Sequence, residues 1–96
     1  MLKNYTITTT AETESIVCTA AEGKELNIMS IVINGGADGG DIKLSFSTGF
    51  EMSFSVDSED TIILDNKMNL VTGDTLAVTA SASGMKVFVS AAELAV

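Results

Sequence analysis

Leu70 to Leu94 reads L-V-T-G-D-T-L-A-V-T-A-S-A-S-G-M-K-V-F-V-S-A-A-E-L. Two runs with apolar residues at every second position flank Ser81-Ala82-Ser83-Gly84, and Gly73-Asp74 opens the first of them. A period of two belongs to strands with one buried face. The spacing therefore predicts a β-hairpin entered through a tight turn. These residues specify an architecture and name no substrate.

The same alternation extends upstream. Tyr5 and Ile7 form a short first strand, and Ile16 and Cys18 are expected to share the inward face of a second one ending near Ala20. After the turn Ala21-Glu22-Gly23-Lys24, the run Leu26 to Ile33 is rich in Ile and reads as a central strand buried on both faces. Asn34 to Asp41 holds four glycines in eight residues, which predicts a mobile loop. Ile42, Leu44 and Phe46 then alternate with Lys43 and Ser45. Beyond Thr48-Gly49, Phe50, Met52, Phe54 and Val56 alternate with Glu51, Ser53 and Ser55, giving the clearest hairpin in the chain. Asp57-Ser58-Glu59-Asp60 is a turn, Ile62 to Leu64 and Met68 to Val71 are short strand pieces, and Asp65-Asn66-Lys67 is a loop between them. No window sustains a 3.6-residue period. The expectation is an all-β chain, residues 1–96 forming a single antiparallel β-sandwich or jelly-roll-like domain of seven or eight short strands. Proline is absent, so edge protection falls to charge or to a covering subunit.

A chain of 96 residues supports one thin core. Surface scaling gives a folded area of roughly 5,200 Å², with about 64% of the unfolded surface buried, and association is a common way for so small a domain to bury more. Five Lys, no Arg and thirteen Asp or Glu leave a net charge of -8. Nucleic-acid backbones and anionic membranes are poor partners for such a surface, whereas a neutral or basic protein surface is open to it. No apolar run reaches membrane-spanning length. Met1 to Thr6 is polar and strand-like rather than a secretory signal, and the lone Cys18 has no internal disulfide partner, so synthesis in a reducing cytoplasm is expected. The sequon Asn4-Tyr5-Thr6 has no role in that setting.

Residue types exclude much chemistry. Histidine, arginine and tryptophan are missing, so neither a Ser-His-Asp triad nor a Cys-His zinc site can be assembled, and no catalytic, cofactor or metal residues are assigned. Cys18, beside Ile16, reads as an inert core thiol. Asp57, Glu59 and Asp60 offer paired carboxylates of the kind a glycosidase uses, but their setting in a short turn without an aromatic platform favours a solvated turn. Gly35 to Asp41 has a faint likeness to calcium-binding glycine-aspartate repeats, against the simpler reading of a connection; it lacks the Lys, Ser/Thr and following helix of a phosphate loop. Exposed alternation remains. The segment 1–13, with Leu2, Tyr5 and Ile7 as candidate contacts, is either an arm that pairs with a neighbour or an ordinary edge strand.

Two stretches carry a likeness to known proteins. Ala21-Glu22-Gly23-Lys24-Glu25 feeds the strand Leu26 to Asn34, and Ile63-Leu64-Asp65 leads through Leu70-Val71-Thr72-Gly73-Asp74-Thr75-Leu76 to Val87-Phe88-Val89-Ser90-Ala91. This pattern of a glycine-lysine turn before a long strand and a Gly-Asp turn near the end resembles small β-sandwich virion proteins of tailed bacteriophages, over about two thirds of the chain. The resemblance implies a non-enzymatic structural protein, a capsid decoration or auxiliary protein bound to the major capsid protein or another virion protein, with tail, neck or head-fibre positions as competitors. Self-association into a homo-oligomer, a trimer, is expected with it. The charge of -8 places such a subunit on the outer surface of the virion, away from packaged DNA. A carbohydrate-binding or adhesin-like module is the alternative from a different class, on fold analogy alone.

Overall fold

Nine strands make up the computed structural model, which describes residues 1–65 and 67–96. They are β1 (Leu2–Thr8), β2 (Ser15–Thr19), β3 (Lys24–Asn34), β4 (Gly40–Phe46), β5 (Glu51–Val56), β6 (Thr61–Leu64), β7 (Met68–Leu70), β8 (Thr75–Ala80) and β9 (Lys86–Ala95). One antiparallel sheet has the order β1-β9-β3-β6, with β7 also pairing β3; the other has the order β2-β8-β4-β5. The fold is thus the expected β-sandwich. Nine strands stand where seven or eight were expected, and the two short pieces expected at Ile62 to Leu64 and Met68 to Val71 are β6 and β7, laid end to end along one side of β3.

Pairing is nested: β1 with β9, β2 with β8, β3 with β6 and β7, β4 with β5. The chain is a long hairpin folded over on itself, and its tip is the β4–β5 turn that alternation located. There Ile42 faces Phe54 and Leu44 faces Met52.

The core lies between the sheets and takes Leu26, Ile28, Ile31 and Ile33 from β3, Val87, Val89 and Ala91 from β9, Leu76, Val78 and Ala80 from β8, and Ile42, Leu44 and Phe46 from β4. In β3 the inward residues change from even to odd numbers. Ile28 pairs Ala91 and Ser30 pairs Ser90, so Met29 is an extra residue, a β-bulge. Because of it four large side chains point inward along a single strand, while Met29 stands outside at 42% exposure. The expectation that β3 is buried on both faces is therefore corrected: Asn27, Ser30, Val32 and Asn34 on its other face are not fully buried. A second bulge at Val17 has the same effect in β2. Cys18 turns inward at 4% exposure and Ile16 outward at 60%, so the two do not share a face as alternation predicts.

The Leu70 to Leu94 stretch also pairs differently. β8 bonds to β2 and β4, and β9 bonds to β1 and β3, in the opposite sheet. Ser81 to Gly84 is thus an arch between sheets, not a hairpin turn. Alternation marks which residues face the core, and two strands that face one another across a core alternate as cleanly as two that share hydrogen bonds. The arch is held by Thr9, a buried polar residue at 5% exposure. Its hydroxyl donates to the Ala82 carbonyl at 2.8 Å and accepts from the Met85 amide at 3.1 Å, and its backbone exchanges bonds with Met85 and Gly84.

The glycine-rich segment is a packed junction rather than a slack loop, which corrects the expectation of mobility. The Gly36 carbonyl accepts from the Glu59 amide at 2.8 Å, and the Gly35 amide donates to the Asp60 carbonyl at 2.9 Å. A Cβ at Gly36 would lie 2.5 Å from the Gly84 carbonyl oxygen, and one at Gly39 2.7 Å from the Ser58 amide nitrogen. At Gly35 it would fall on the carbonyl of Asp57. Gly35→Ala, whose clash is with backbone, is expected to cost about 2–3 kcal/mol through backbone displacement, a fall in Tm of roughly 10–20 °C. Gly23→Ala, where the added methyl meets nothing within 4 Å, is expected to cost only the roughly 1 kcal/mol of its positive φ. Thermal denaturation yielding equal losses would remove the steric explanation.

Burial also governs Cys18. Desolvation pushes its thiol up to about 11, against an opposing backbone hydrogen bond from Leu76. In the unfolded chain the thiol ionises near its ordinary 9.0, so this contribution to stability is complete below pH 9 and is lost as the pH rises toward 11. A thiol-reactive dye should label the native protein slowly at pH 8 and the denatured protein fully. The decline in urea midpoint between pH 9 and 11 should be shallower in Cys18→Ala.

Candidate interaction surface

The three candidate contact residues sit on β1, an edge strand paired to β9 along its whole length from Leu2–Ala92 to Thr8–Lys86. They do not share a face. Tyr5 and Ile7 turn inward and pack against the core, whereas Leu2, at 71% exposure, points outward. Burial raises the Tyr5 phenol above its ordinary 10.0, with the negative charge of Cys18 and then Glu93 adding to the effect. Tyr5 and Ile7 are thus partly buried by packing, and Leu2 is the one of the three that stands exposed.

The acidic turn proves to be a backbone device. Asp60 Oδ1 accepts from the Thr61 amide at 3.0 Å, the Asp60 amide donates to the Asp57 carbonyl at 3.0 Å, and Glu59 takes a left-handed conformation with φ 62°. None of Asp57, Glu59 and Asp60 lines the groove over the β3 bulge or the smaller hollow beside Asp41 and Ser81. Asp74 of the Gly73-Asp74 turn accepts from the Val71 amide through Oδ2 at 3.2 Å, and its carbonyl accepts from the Ala20 amide at 3.0 Å, which ties β8 to the end of β2. Among the described residues no group of three His, Cys, Asp or Glu side chains is placed to hold a metal ion, the Gly35 to Asp41 segment included. Among them, too, no helix is long and apolar enough to cross a membrane.

What the sequence does not reveal is the outer face of the five-stranded sheet. Directly paired residues of antiparallel strands point to the same side. Thr6 pairs Phe88, Phe88 pairs Val32, and Val32 pairs Ile63, so one row crosses four strands. Phe88 is 42% exposed and Ile63 64%. Four residues along β9, a shallow groove opens over the bulge, lined by Asn27, Met29, Lys67, Met68, Asn69 and Ala92. Between row and groove lie small polar side chains, among them Ser30 and Ser90, and Ser90 donates to Asn4 Oδ1 at 3.0 Å.

Charge is nearly absent from this face. Its outward strand positions carry one carboxylate, Glu25, at one end and one ammonium, Lys86, at the other, with Asp65 just beyond β6 and Lys67, at the groove, just before β7. The four-stranded sheet presents Asp41, Lys43 and Glu51 among serines instead, including a Lys43–Glu51 ion pair of 3.7 Å and a Ser55–Asp41 hydrogen bond of 2.6 Å. Only the strand register brings Phe88, Val32 and Ile63 into line, since each belongs to a different strand and each is one alternating residue among many. The sandwich therefore has one wet face and one nearly neutral face with relief.

No protein-family model and no curated protein matches the chain. Among solved structures it is similar to a protein from work describing Bacillus endospore appendages as a novel family of disulfide-linked pili, with a TM-score of 0.62 at 14% identity, covering 100% of this chain and 88% of that one. The likeness is one of fold.

Proposed function

We propose that this chain is a non-enzymatic structural subunit of a tailed-bacteriophage particle, a capsid decoration or auxiliary protein bound to the outer lattice, for which tail, neck and head-fibre positions are the alternatives. The observation that carries the reading is the uneven surface: a chain of net charge -8 keeps one sheet face almost free of carboxylates and lays an apolar row across it. A contact surface is the product such a face supplies. The sequence pattern that resembles virion proteins supports the particle; its Gly73-Asp74 turn is the tie between β8 and β2, so it marks the sandwich's construction. The nested strand order supports reading that sandwich as a jelly roll. Charge supports an outer position, and self-association fits a small domain with a bare face, a trimer being the expectation from the resemblance.

A second reading, a filament subunit exposed at a cell or spore surface, is favoured by the fold shared along the whole chain with the endospore appendage protein. Cys18 at 4% exposure would not supply a disulfide link between subunits in that setting. A sugar-binding module has less support, because the exposed aromatics among the described residues lie apart, Phe50 in the β4–β5 turn and Phe88 on β9 of the other sheet.

Quantitative mass spectrometry of purified particles tests the proposal. Co-purification at a copy number comparable to that of the major capsid protein is expected for decoration, and a handful of copies for neck or tail. Absence from particles, with recovery in extracellular filaments, would replace the first reading with the second.

A further inference from the structure

We propose that the outer face of the five-stranded sheet binds a second copy of this chain about a two-fold axis. The proposal deepens the reading of the chain as a self-associating subunit and does not depend on the particle to which it belongs.

The face is self-complementary in both relief and charge. Consider an axis lying in the interface, perpendicular to the strands and passing over the Ser30–Ser90 pair. Rotation about it keeps each strand opposite its own counterpart and exchanges the two ends of the face. Phe88 of one copy then meets the Ala92 region of its partner, four residues or about 14 Å along β9. Val32 meets Asn27 and Met29. Ile63 of β6 meets Met68 and Asn69 of β7, because β6 and β7 lie end to end on the same side of β3. The apolar row of each copy is thus set against the groove of the other.

Charge follows the same exchange. Lys86 pairs Asn34 at one end of β3 and Leu94 pairs Glu25 at the other, so each Lys86 comes over its partner's Leu94–Glu25 pair, twice per dimer. Small serines at the centre leave room for close approach. The face covers roughly 19 Å across four strands by about 27 Å along them, on the order of 500 Å² per copy and 1,000 Å² in all, the lower limit for a specific interface. Carboxylate repulsion between two copies of a -8 chain is smaller here than on the four-stranded face, because a single acid, Glu25, stands outward on these strands. An isologous contact of this kind closes on itself, so it gives a dimer where the resemblance implies a trimer.

Sedimentation equilibrium of the purified full chain tests this. The mass should rise from 10.0 kDa toward twice that value across the micromolar range. Phe88→Asp and Ile63→Lys, at exposed positions, should each weaken the dimer at least about tenfold with an unchanged circular dichroism spectrum. If Phe88→Asp does not fold, Ile63→Lys carries the test. Lys86→Glu and Glu25→Lys should each weaken association, and the double reversal should restore it, a result that a merely sticky surface would not produce. A monomer throughout the range, a trimer, indifference to Ile63→Lys, or failure of the double reversal to restore pairing would overturn the proposal. None of those results bears on whether the protein is found in particles, so the two proposals fail separately.

Discussion

The extra residue at Met29 is the constraint on which the rest of the sandwich depends. A strand that crosses a whole sheet with strict alternation gives half its residues to the core, and the apolar residues of β3 do not keep one parity along its length. The bulge absorbs the mismatch. Leu26 and Ile28 before it and Ile31 and Ile33 after it all point into the core, and β9 keeps its pairing on both sides of the irregularity. The alternative would put two isoleucines into water at a cost of about 1.5–3 kcal/mol each. The same bulge pushes Met29 outward and opens the groove beside Ala92 and Met68, so one local irregularity fills the core and also shapes the opposite surface.

Polar bonds in this protein are concentrated where the chain changes sheet. Thr9 bonds across the arch at Ser81 to Gly84, Asp74 closes the turn before β8, and Gly35 and Gly36 exchange bonds with the acidic turn before β6. A crossing segment leaves ladder bonding on both sheets at once, and its backbone groups need partners if they are not to be buried unpaired. Close backbone approach meets that need, which is why glycines cluster at the crossing between β3 and β4. The carboxylates of Asp60 and Asp74 at these turns are hydrogen-bond acceptors for backbone amides, a role that a scan for catalytic pairs does not separate from chemistry.

The sequence was legible where a signal was local. The β4–β5 hairpin could be read because two alternating runs are joined by a short turn, and the inward position of Cys18 agreed with a core thiol. Pairing between distant strands was not legible: Leu76 to Ala80 and Met85 to Ala91 alternate in the same way whether they share a sheet or face one another. Bulges were invisible because Ile16 and Cys18, two residues apart, look like neighbours on one face. Thr9 stood in a run of three threonines with nothing to single it out. The apolar row of Phe88, Val32 and Ile63 exists only through register, and the candidate contacts Leu2, Tyr5 and Ile7 were divided between two faces by the pleat of β1.

Nesting also dictates an order of events in time. β4 and β5 can close as soon as both are synthesised, and β3 then finds β6 and β7, but β1 has no partner strand until β9 has been made. The first strand therefore waits through the translation of almost the entire domain with a full row of unpaired amides and carbonyls, in a chain without proline to discourage mispairing. During that wait, the acidic, threonine-rich segment between β1 and β2, which carries Glu12 and Glu14, sets like charge against the same segment of another nascent copy.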